Sequence, residues 1–85
     1  MNDVVECGKY EYSVILAWEL FKHGYLMQDG DNPLNFLMNT FGYGQIGIIW
    51  CIDDEKKRVG YLNTTIGMNI EPIDAVSYLT RNWDE

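Results

Sequence analysis

The stretch that constrains this chain most is Ser13 to Gly24, SVILAWELFKHG, because it is long and periodic enough to demand a helix. Ser13 has the side chain of an N-cap, and Gly24 suits the left-handed position just past a helix end. Lys22 and His23 would sit in the last turn, where positive charge suits the helix dipole. At about 100° per residue, Val14, Ala17, Trp18, Leu20 and Phe21 form one apolar face, and Glu19, Lys22 and His23 the other. Ile15 and Leu16 fall among or beside the polar residues. Apolar side chains on that side point to a second contact, and both are expected in a subunit interface.

The rest of the chain reads as short strands. Lys9 to Tyr12 alternates as KYEY, suggesting a strand that leads into the helix. Tyr25 to Gln28 is a second strand, and Asp29 to Pro33 is dense turn chemistry. Leu34 to Asn39 reads as a strand, followed by a loop around Gly42 and Gly44. Ile46 to Ile52 is the most hydrophobic run and is expected to be the central strand. Asp53 to Lys57 turns the chain, and Arg58 to Thr65 pairs back antiparallel. Asp74 caps a last helical turn over Ala75 to Thr80. The sum is one α+β domain over residues 1–85: an N-terminal helix on a small antiparallel sheet, closed by a short C-terminal helical turn.

At 85 residues the core is thin, and oligomerisation would help it. The formal charge of -7 disfavours a nucleic-acid or anionic-membrane binder and permits docking on a basic protein. The opening MNDVVECGKY lacks a basic start and long apolar run, and no segment has the apolar length of a membrane span. The expected location is therefore a cytoplasm, with Cys7 and Cys51 as free thiols.

Catalytic chemistry has little to work with. His23 is the one histidine, at a helix end and without a neighbouring nucleophile. Cys7, His23 and Cys51 lack zinc spacing, and Asp29-Gly30-Asp31 lacks the remainder of a calcium loop. Lys56-Lys57-Arg58, a possible phosphate contact, is best explained as a solvated hairpin tip. No enzyme activity, metal or cofactor is expected. Aromatic residues are more suggestive. Trp50 belongs in the core, and Trp83 is expected to close the sheet or a helix end. Trp18 either packs inside or stands at the rim, where an indole one turn from Lys22 can stack a purine while the ammonium meets a phosphate. Tyr10, Tyr12, Tyr25 and Tyr43 can also serve a ligand or an interface.

Two segments are similar to one known family. Ala17-Trp18-Glu19-Leu20-Phe21-Lys22-His23-Gly24 resembles an Ala-Leu-Glu-x-Leu-Lys-x-Gly pattern, and Asp74 to Trp83 resembles Ser-x-x-Asp-Leu-Leu-Ala-x-Asp-Trp. Both patterns mark the second type of Thoeris anti-defence protein, a phage sponge for cyclic ADP-ribose signals. This chain departs from the family after the helix, where Gln28-Asp29-Gly30-Asp31-Asn32 replaces Arg-Glu-Gly-Trp. The resemblance implies a homotetramer in the host cytoplasm, with nucleotide pockets where helices of different subunits meet. Trp18, Lys22, Tyr25, Thr64, Thr65 and Arg81 are the candidate ligand contacts. The alternative is an acidic inhibitor that binds a host defence or nucleic-acid-binding protein directly.

Overall fold

The computed structural model describes residues 2–62 and 69–81. Its elements run β1 (Asn2–Cys7), α1 (Tyr10–Lys22), β2 (Leu26–Met27), α2 (Pro33–Thr40), β3 (Ile48–Asp53), β4 (Arg58–Leu62), β5 (Ile73–Asp74) and α3 (Ala75–Leu79). The α+β class is as expected. The sheet, however, is mixed rather than antiparallel, and the strand that precedes the first helix is Asn2–Cys7 rather than Lys9 to Tyr12. Its order is β2-β4-β3-β1-β5, so β3 is central. The β1–β3 and β3–β4 pairs are antiparallel, while the edge strands β2 and β5 join in parallel.

Alternation along the strands sets the packing face. Val5 lies opposite Trp50, Cys7 opposite Ile48, and Ile52 opposite Val59. These side chains join Leu16, Ala17, Leu20, Leu37, Ala75 and Tyr78 of the three helices in one core. α1 packs against both α2 and α3. No helix among the described residues is long and apolar enough to cross a membrane.

α1 begins four residues earlier than its sequence signals suggest, with Lys9 rather than Ser13 as its N-cap, and this corrects several expectations. The N-cap is Lys9, which makes no side-chain cap bond, and KYEY enters the first turn instead of forming a strand. Ser13 is not a cap but a fully buried core residue. The buried stripe is Tyr10, Ser13, Leu16, Ala17 and Leu20, about a quarter turn from the expected one. Leu16 is therefore core and does not belong to an interface. The end of the helix is as expected: Gly24 takes φ 88, reached without a Cβ clash.

Leu34 to Asn39 is helical, not a strand. Asn32 accepts from the Leu34 N–H, and Pro33 occupies the first turn, where its missing N–H costs nothing. The C-terminal helix forms as expected, with the Asp74 carboxylate accepting from the Val76 N–H. Cys7 and Cys51 are free thiols. They sit on adjacent strands but out of register, because Cys7 faces Ile48 and Cys51 faces Val4.

Candidate functional site

The quarter-turn rotation of α1 decides what it shows to solvent. Trp18 is 49% exposed and Ile15 48%. Phe21 and Lys22 are exposed beside them. Trp18 therefore stands outside the core, and Lys22 follows one turn later, so the two side chains can reach one ligand. Lys22 Nζ meets Glu19 Oε1 at 3.1 Å, a pair between an exposed lysine and a half-buried glutamate. His23 Nδ1 donates to the Glu19 carbonyl at 2.8 Å, which holds the ring against the helix end.

Tyr25 and Arg81 lie elsewhere, in a cluster that ties α3 to β1 and to the β3–β4 turn. Arg81 forks onto Asp54, with Nη2 to Oδ1 at 3.2 Å and Nη1 to Oδ2 at 3.4 Å. Nη1 also donates to the Tyr78 hydroxyl at 2.6 Å, and the guanidinium lies 4.5 Å over the Tyr78 ring. Nη2 reaches the Tyr25 hydroxyl at 3.3 Å, and Tyr25 in turn donates to Asp54. Asp3 Oδ2 completes the group, 3.6 Å from Arg81 Nη1.

Charge within the cluster is closely compensated. Burial pushes the Asp54 carboxyl up, but hydrogen bonds from Arg81 and Tyr25 outweigh it and hold the group below its ordinary range. Burial and the neighbouring Asp54 push Asp3 up. Burial likewise raises the Tyr25 and Tyr78 hydroxyls, so both stay protonated. One guanidinium thus faces two carboxylates, and its planar fork is already filled. Tyr25 is 2% exposed, with Lys57 Nζ 4.6 Å from its ring centre. Tyr25 is thus buried, and the partly exposed Arg81 guanidinium is engaged by Asp54, Asp3, Tyr78 and Tyr25. Thr64, Thr65 and Trp83 lie outside the described residues.

The hairpin tip is a turn built by Asp53, whose Oδ1 accepts from the Glu55 and Lys56 N–H groups. Sequence reasoning missed a groove of about 330 Å³ between α2 and the β2–β4 edge, walled by Met27, Phe36, Val59, Gly60 and Tyr61. Phe36 and Tyr61 meet at 5.4 Å there, and Phe36 also packs edge-on to Trp50 at 6.2 Å. The Asn32-Pro33 helix start was the signal that could have revealed it, by placing Phe36 on a helix. Among the described residues no group of His, Cys, Asp and Glu could hold a metal ion. Comparison with family models, curated proteins and solved structures gives no match.

Proposed function

We propose that this chain is a non-catalytic binding protein that sequesters a cyclic nucleotide-derived signal of the cyclic ADP-ribose type. The observation that carries this reading is the half-exposed Trp18, one helical turn from the ammonium of Lys22. The indole supplies a stacking face, and Lys22 supplies a charge-assisted donor to a phosphate. The ligand class comes from the resemblance of the two chain segments to the phage sponges. In that family α1 would meet another subunit, and here its outer face carries Ile15, Trp18 and Phe21. Sequestration removes the signal from a host effector without breaking a bond, so it asks for no acid, base or metal. Tyr25 and Arg81 take a supporting role in this scheme, holding α3 in place.

A thermal-shift panel of cyclic ADP-ribose isomers and cyclic di- and trinucleotides tests the reading. A ligand at 100 times its dissociation constant adds about 2.7 kcal/mol to stability. It should be recovered chemically unchanged. One observation favours a second reading, an acidic inhibitor of a host protein. Arg81 is already neutralised by Asp54 and Asp3, so it offers nothing against the net charge of -7. Silence across the panel, with salt-sensitive binding to a basic host protein, would favour that reading.

A further inference from the structure

β4 runs further than the strand beside it. β2 pairs with Arg58 and Val59, and the chain then turns away, with the Gly30 N–H donating to the Met27 carbonyl at 2.9 Å. Beyond Val59 no described strand lies on that edge. The Leu26 N–H donates to the Lys57 carbonyl at 3.1 Å, and in this parallel register Val59 is the next residue to turn its N–H and C=O toward β2. The period of two puts the N–H and C=O of Tyr61 on the same edge, past the end of β2. The Tyr61 side chain is on the helix face, opposite Trp50, and is 41% exposed. It lines the groove described above together with Phe36, the buried Met27 and Val59, and the exposed Asp29. Asp29 is the charged member of that lining. The bases of the β3–β4 turn, Lys57 and Arg58, lie beside Tyr25 and Leu26, before the groove begins.

We infer that this edge takes an extended segment of a basic partner protein as an added strand. Main-chain bonds to Tyr61 supply affinity, and alternate side chains of the segment supply specificity. One apolar side chain enters the groove of about 330 Å³ between Phe36 and Tyr61. A lysine or arginine two places along the same face, about 7 Å away, meets Asp29. The net charge of -7 draws a basic segment toward the chain and disfavours an acidic one. The inference takes the basic partner from the second reading above and adds the surface and the mode of contact. It uses neither Trp18 nor Lys22, so it leaves both to the nucleotide.

The probe is the end-blocked heptapeptide Thr-Lys-Thr-Leu-Thr-Lys-Thr, which as a strand sets leucine between two lysines on one face in either direction. It is titrated into the isotope-labelled full chain, with amide shifts and hydrogen exchange followed by NMR. The peptide should shift the amides of Gly60, Tyr61 and Leu62 and slow exchange at Tyr61, while those of Trp18 and Lys22 stay in place. Threonine in place of its leucine should weaken binding about tenfold or more. Asp29→Asn keeps the oxygen that accepts from the Asp31 N–H and should weaken binding about twofold to fivefold. Glutamates in place of both lysines, or N-methylation of the leucine and its two neighbours, should abolish it. An absence of binding at millimolar peptide overturns the inference. So does binding that survives N-methylation, or that shifts α1 in place of β4. A Tyr61 amide that slows as the protein alone is concentrated assigns the edge to a second copy and likewise overturns it. A basic host protein that binds without touching the Tyr61 amide would overturn this inference and leave the inhibitor reading standing.

Discussion

The indole of Trp50 donates to the Ser13 hydroxyl at 3.2 Å, and both side chains are fully buried between α1 and β3. This bond joins the central strand to the middle of the first helix, and it makes a polar residue tolerable in the core. Ser13→Ala would leave the indole N–H without its partner. The expected cost is about 1–3 kcal/mol. For a domain of this size each kcal/mol lowers Tm by about 4–8 °C. An unchanged Tm would mean that the bond contributes nothing.

Neighbouring residues of α1 should respond in opposite ways. Leu16 is fully buried, so Leu16→Ala should cost about 2–5 kcal/mol in denaturant melts. Ile15→Ala should change the stability of the monomer by no more than about 0.5 kcal/mol. Equal effects at the two positions would contradict the rotation of the helix described above.

That rotation also shows what sequence could and could not convey. The α+β class, the central strand, the β3–β4 hairpin and the Asp74 cap were legible because each is encoded by neighbours in the chain. The phase of α1 was not. Ser13 looks like a cap, but it is needed inside by Trp50, a residue of another strand. Starting the helix there gave Trp18 and Phe21 the place that belongs to Ser13 and Leu16. In α2 the local evidence existed and was outweighed, since Asn32-Pro33 is a helix start standing before a strand-like LNFLMN. The parallel join of β5 to β1 and the meeting of Asp3, Asp54 and Arg81 depend on distant chain segments, which carry no local signal. Trp18 at the rim was one of two open readings, and burial alone could decide it.

The Arg81 cluster predicts a pH signature. Asp54 lies below its ordinary range, so its contribution is present above the unfolded pKa and is lost as pH falls through the folded one. Asp3 is raised, so its contribution is full below the unfolded pKa and is lost as pH rises through the folded one. At pH 7 the Asp3 charge is therefore unfavourable. Asp3→Asn should raise Tm at pH 7, and the gain should vanish on acidification through the ordinary Asp value of about 3.9. A lower Tm at pH 7 would mean that the 3.6 Å contact with Arg81 outweighs the burial of Asp3 and its repulsion from Asp54.

The Asp74 carboxylate caps α3, the helix that leads to Arg81. Asp74→Ala should cost about 1 kcal/mol, the usual loss for such a cap. A cost near zero in a denaturant melt would show that α3 holds its place without it.

Calorimetry of cyclic ADP-ribose isomers against the wild type and Lys22→Ala tests the central claim most directly. One isomer should bind the wild type and be recovered intact. Lys22→Ala should weaken it about tenfold to a hundredfold, the loss of one charge-assisted hydrogen bond, while the ligand-free Tm stays within a degree or two. A ligand that binds both proteins equally, or an absence of binding to the wild type, would contradict a nucleotide site at Trp18 and Lys22.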